Sequence, residues 1–332
     1  MEYLESQASF TWLISTYGSL INMKKTNTLV KTIISILAAF LVTFLVVFCK
    51  NAFSKDIKGA SVGVSAISQA GKIDTLFIGA SSFRKGLNMH LLEDNLEGQT
   101  YMLTYNGNQP MNMDIELQEL YKAGTEINTL VLEFDPGMID WHADLSDKRL
   151  LWDISLDSKI KIWNLLSQRE DADFFMMYDY WVSSNIDYMF TYPISKPVIS
   201  KRYYRGGNTG EDDVKGLSFE ELEALPVKED PGFSDLQKSS LQDIISLCNA
   251  NNTKLIVLES PNYKKMYEDK NYADKCVILR QFFEDAMIPV YTKEDLDFDY
   301  TNPAYYSDLS HMSTEGMNIY TEKVINLLTN VK

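Results

Sequence analysis

Five short apolar runs, separated by helix-forming sequence, set the strongest limit on how this chain can fold. Ile73–Gly79, Gln99–Tyr105, Asn128–Phe134 and Lys254–Glu259 read as strands, and Ile288–Tyr291 as a shorter fifth. Met89–Leu96 and Met113–Lys122 carry helical spacing, the second stopping at Gly124. Strands that alternate with helices form a parallel sheet, because a helical crossover returns the chain to the starting end. Ligands then sit beyond the carboxyl ends of the strands. Ser81, Gly107 and Asp135 each follow a strand at that edge.

The residues with chemistry lie at the two ends of this pattern. Asp308 stands three residues before His311, followed by Gly316 and a closing amphipathic stretch, in a chain with only three histidines. A carboxylate beside an imidazole fixes one tautomer and stabilises the imidazolium formed on proton transfer. Such a pair needs a nucleophile, and Gly79-Ala80-Ser81-Ser82 offers two adjacent serines after the first strand. Taken separately, each segment has a plainer explanation: a serine capping a helix, and an aspartate capping the last helix near a surface histidine. Their order around a parallel-sheet pattern favours a triad of Ser81, His311 and Asp308, with Ser82 as the rival nucleophile. His90 and His142 have no such frame.

Gly79-Ala80-Ser81 and Asp308-x-x-His311 resemble the first and last blocks of the SGNH/GDSL hydrolase superfamily. The continuation Ser82-Phe83-Arg84-Lys85-Gly86-Leu87-Asn88 is similar to a branch of membrane-anchored envelope proteins. That branch holds teichoic acid D-alanyl transfer proteins and relatives of the alginate and peptidoglycan O-acetyltransferases. The resemblance implies a flavodoxin-like three-layer α/β fold and acyl transfer or ester hydrolysis through Ser81. It implies an envelope glycopolymer as acceptor and a polytopic membrane O-acyltransferase as partner. It implies no cofactor. It also implies an oxyanion hole built from the Ser81 amide, a glycine amide after the second strand and an asparagine after the third. Gly107 suits the second role. The third departs from the pattern, since Glu133-Phe134-Asp135 contains no asparagine and an ionised aspartate repels an oxyanion. Either Asn106 or Asn108 substitutes, or the hole has two donors. Arg84 and Lys85 could bind an anionic acceptor such as a phosphate, or simply be solvated.

Thr32–Cys49 is uncharged and apolar. With Leu29 and Val30 it is long enough for a hydrocarbon core of ~30 Å. It reads as an uncleaved signal anchor over 29–50, with a cytoplasmic tail over 1–28 and a juxtamembrane linker over 51–71. Lysines on both sides leave the positive-inside count nearly balanced. A short basic tail ahead of a first span favours an extracytoplasmic domain over 72–332, in a single-pass protein of the cell membrane. Met23-Lys24-Lys25 resembles a bacterial start, so the leading segment is read as a possible extension. A net charge of −15 argues against nucleic acid as a partner. Three cysteines give no disulfide framework, and no Cys/His cluster has metal-site spacing.

Between 140 and 231 the strand–helix alternation breaks, and four of the five tryptophans fall here. The segment reads as a helical insertion whose aromatic residues are either its own core or a lid or groove for sugar rings or lipid chains.

Overall fold

The computed structural model describes residues 28–54, 63–139, 143–180, 203–227 and 234–330. The chain divides into two units, Met1–Ser54 and Lys55–Lys332. The first contains helix α1 (Thr28–Ser54), which takes in the whole apolar run. Its side chains are described from Val30 to Thr43 and at Leu45, a shorter stretch than the run itself. Among the described residues no helix is long and apolar enough to cross a membrane. Ile33, Ile36, Leu37, Phe40, Leu41 and Val42 are all exposed. The expected cytoplasmic tail falls almost wholly outside the described residues.

The second unit is built on β1 (Lys72–Gly79), β2 (Thr100–Thr104), β3 (Glu126–Phe134), and, far along the chain, Lys254–Glu259 and Val290–Tyr291. All five strands are parallel, in the spatial order second, first, third, fourth, fifth of that list. The chain therefore moves outward from β1 in one direction to β2 and in the other to β3. That reversal puts the topological switch point between β1 and β3, where open α/β sheets hold ligands.

Alternation along the strands divides the core in two. Leu76 and Ile78 of β1, Leu130 and Leu132 of β3, and Leu255 and Val257 face one side. They pack against Ile115 and Leu120 of the helix Pro110–Lys122 and against Leu241 and Ile244 of the helix Asp235–Ala250. Phe77, Met102, Val131 and Ile256 face the other side, against Met89, Leu92, Tyr320 and Val324. Both faces are covered, which is why the strands read as nearly continuous apolar runs.

Two boundaries differ from the sequence reading. The helix expected from Met113 begins at Pro110, which takes the first helical position, where its missing N–H costs nothing. The fifth strand shrinks to Val290–Tyr291.

The insertion does two visible jobs. The helix Leu156–Leu166 buries Ile162 and Leu166 in the first core, and Lys161 pairs with Asp114 at 2.8 Å. Further on, the hairpin Tyr203–Asn208 guards the outer edge of β2, where Met102 N–H donates to Arg205 O at 2.9 Å. Arg205 pairs with Glu93 at 2.7 Å and lies over the Tyr101 ring. Trp141 and Trp181 lie outside the described residues, and Trp163 is exposed on its helix.

Candidate active site

β1 ends at Gly79, and Ser81 opens the short helix Ser81–Gly86, at the switch point. The glycine is needed for close approach. A Cβ on Gly79 would lie 2.7 Å from both the Glu133 Cβ and the Phe83 ring, and nearer still to the Glu133 carboxylate. As the first residue of its helix, Ser81 has no intrahelical acceptor for its N–H. Its side chain is half-buried.

The other half of the site comes from the loop before the final helix, Thr314–Asn330. This loop is clamped on several sides. Ser307 N–H donates to His311 O at 2.8 Å, and Tyr263 N–H donates to Leu309 O at 2.9 Å. The buried Tyr306 hydroxyl donates to Asn262 O at 3.2 Å. Asp308 Oδ1 accepts the backbone N–H groups of Ser310 and His311, both at 2.9 Å. Its other oxygen meets His311 Nδ1 at 2.7 Å. With Nδ1–H donated there, His311 Nε2 is left to accept, and it lies 2.9 Å from Ser81 Oγ. Burial opposes ionisation of Asp308, but its bond to the His311 ring, the attraction of that ring once protonated and the two backbone N–H groups outweigh it. The carboxyl is held at about 2. Residues 230 positions apart thus form one continuous hydrogen-bonded chain from hydroxyl to carboxylate.

Ser82 points elsewhere. Its hydroxyl donates to Glu133 Oε1 at 2.7 Å, while Ala80 N–H donates to the other oxygen of the same carboxylate. Glu133 was not foreseen as a site residue. The available signal was a carboxylate set within the apolar run Leu130-Val131-Leu132-Glu133-Phe134. Burial, reinforced by the charge of Asp135, raises Glu133 to about 7, against the pull of Ala80 N–H and the Ser260 and Ser82 hydroxyls.

The turn after β2 is fastened on both sides of the nucleophile turn. Arg84 donates to Asn106 Oδ1, and Asn108 Nδ2 donates to Gly79 O at 3.1 Å. Gly107 sits between them at φ 55°, and its N–H has no acceptor among the described residues. Asn108 is buried, and its amide also donates to Glu116 at 3.0 Å, so it braces the turn rather than facing Ser81. Asn106 is exposed and has its Nδ2 donor left over. Of the two basic residues, Arg84 is buried, with its guanidinium on Thr104 O and Asn106 Oδ1, so it does not present a charge to an acceptor. Lys85 is exposed. After β3, Asp135 caps a short turn by accepting Gly137 N–H at 2.9 Å. His90 stacks on Tyr204 away from the triad, and His142 lies outside the described residues. Among the described residues no group of His, Cys, Asp and Glu side chains could hold a metal ion.

A nucleophile, a base, an orienting carboxylate and free backbone N–H groups at one sheet edge can perform acyl transfer at an ester. No protein-family model matches the chain, and no curated protein matches it. Among solved structures, one from Bacteroides fragilis, provisionally described as an acylhydrolase, is similar over 82% of this chain and 99% of its own, with 11% identity and a TM-score of 0.41.

Proposed function

We propose that this protein is a serine-dependent acyltransferase or esterase of the SGNH type, acting on acylated glycopolymers of a cell envelope. The observation that carries the reading is the hydrogen-bonded chain Ser81–His311–Asp308. In this mechanism His311 Nε2 takes the Ser81 proton as Oγ attacks the acyl carbonyl. The oxyanion that forms is met by the N–H groups of Ser81 and Gly107, with the Asn106 amide as a third donor. His311 returns the proton to the departing alkoxide, leaving an acyl ester on Ser81. A sugar hydroxyl or water, deprotonated by His311, then attacks that ester and frees the serine. Transfer and hydrolysis differ only in this last acceptor.

Helix α1 is proposed to anchor the chain in the bilayer, with the catalytic unit outside the cell. Support comes from the apolar run Thr32–Cys49 and the helix that contains it. The glycopolymer acceptor, the D-alanyl or acetyl group and the polytopic acyl-donating partner rest on the sequence resemblance. A non-catalytic, glycan-binding reading draws on one observation, the aspartate at position 135 where an asparagine donor belongs.

Labelling the full chain in detergent with a fluorophosphonate decides between these readings. An adduct on Ser81 that disappears in Ser81→Ala and His311→Ala proteins supports the enzyme. A folded protein that forms no adduct favours the binding module.

A further inference from the structure

The two residues flanking the nucleophile converge on a single carboxylate. Ala80 precedes Ser81 and gives its N–H to one oxygen of Glu133; Ser82 follows and gives its hydroxyl to the other, at 2.7 Å. Gly79, one residue earlier, has no room for a side chain because Glu133 occupies that space. Glu133 itself stands on β3, fixed by the parallel register that pairs Ile78 with Leu132. It is almost wholly buried. The carbonyls of the turn are held from elsewhere, Ala80 O by Arg84 N–H at 3.2 Å and Gly79 O by Asn108 Nδ2 at 3.1 Å; the Ala80 N–H and the Ser82 hydroxyl are held by Glu133. The first N–H groups of a helix lack internal acceptors.

We propose that Glu133 is the positioning residue of the nucleophile turn: its carboxylate bridges Ala80 and Ser82, and so aims Ser81 Oγ at His311 Nε2. The bridge reaches Ser81 only through its neighbours, so Glu133 touches neither substrate nor the reacting atoms. The arrangement explains why a carboxylate is kept at the switch point of an apolar sheet. Desolvating one is costly unless its oxygens are hydrogen-bonded, and here they accept from the two residues beside the nucleophile. Its catalytic meaning rests on the serine-enzyme reading above. The geometric claim does not.

The test uses the full chain in detergent and three substitutions. Glu133→Ala removes the bridge. Glu133→Gln keeps it, since the amide carbonyl can accept Ala80 N–H and the amide nitrogen can donate to Ser82 Oγ. Ser82→Ala removes one arm. Fluorophosphonate labelling of Ser81 should slow by about 10–100-fold in Glu133→Ala, the order expected for misplacing a reacting group by an ångström. In turnover of a p-nitrophenyl ester the loss should fall on kcat with KM little changed. Glu133→Gln should recover most of the rate, and Ser82→Ala should fall between. A parallel hydrogen-exchange measurement on the peptide spanning residues 79–86 should show faster exchange in Glu133→Ala and near-normal exchange in Glu133→Gln.

Equal labelling of Ser81 in wild-type and Glu133→Ala proteins would overturn the proposal while leaving the serine enzyme intact. If the wild-type protein takes no label, the enzyme reading falls and exchange alone decides. Faster exchange in Glu133→Ala then upholds the bridge, and unchanged exchange overturns it. Should Glu133→Ala not fold, Ser82→Ala and Glu133→Gln carry the comparison. A Glu133→Gln protein as slow as Ser82→Ala would refute a role that needs only the two hydrogen bonds.

Discussion

The Ser82 hydroxyl donates to Glu133 Oε1 at 2.7 Å, and this bond turns it away from the imidazole that Ser81 meets at 2.9 Å. Two chemically identical neighbours therefore have different environments. One is tied into the sheet, and the other faces a base whose second nitrogen is held by a carboxylate.

Ser81→Ala should abolish fluorophosphonate labelling. Ser82→Ala should leave Ser81 reactive, slowed by no more than about tenfold, because the Ala80 arm of the bridge remains. Intact-mass spectrometry of the two variants checks this. Adduct persisting in Ser81→Ala would move the nucleophile to Ser82.

Asp308→Asn should lower the rate of ester cleavage by on the order of 10⁴, with KM little changed, because an amide can hold the wrong imidazole tautomer. Since Asp308 titrates at about 2, loss of activity on mild acidification will not arise from its protonation. Steady-state kinetics of wild-type and Asp308→Asn proteins provides the comparison.

Glu133 should make stability fall as the solution becomes alkaline. Its folded value of about 7 lies above the ordinary 4.5, so the native state keeps a proton that the unfolded chain has released. The stabilising contribution is complete below the unfolded value and is lost as pH rises through about 7, a change on the order of 3 kcal/mol. Glu133→Gln has no proton to lose. Urea titrations from pH 5 to 8 should show wild-type stability falling relative to this variant, and parallel curves would mean that Glu133 titrates normally.

Asn88→Ala should destabilise the unit Lys55–Lys332 by about 1–2 kcal/mol, the usual scale for losing a helix cap plus a side-chain bond. Asn88 Oδ1 accepts the N–H groups of His90 and Leu91, and its amide donates to Asn318 Oδ1 at 2.9 Å on the final helix. Because that helix follows the His311 loop, the variant should also label more slowly. Denaturant melts and labelling rates, measured together, test both effects.

The sheet was legible from sequence because its strands are buried on both faces. Leu76, Phe77 and Ile78 all need burial, so they form an apolar run whatever the neighbouring residues are. Asp308 and His311 were legible because they are three residues apart, and a local turn can bring them into contact by itself. The start at Pro110 is hard to read from sequence because proline breaks a helix everywhere except in its first turn, where it sits here. The roles of Arg84 and Asn108 were misjudged because charge and amide character in a loop suggest solvent or ligand, whereas both side chains are buried against Thr104 O and Gly79 O.

The sequence by itself determined the parallel sheet, the carboxyl edge at which Ser81 and Gly107 stand, and the spacing that lets Asp308 meet His311. These follow from periodicity, from short spacing and from the demand of apolar groups for burial. Only the tertiary structure decided which serine meets the imidazole and which carboxylate holds the other. That choice depends on β3 lying beside β1 in a particular register, which places Glu133 against Ala80 and Ser82 across about fifty residues of chain. No local pattern encodes such a contact, because it arises when separate strands share a sheet.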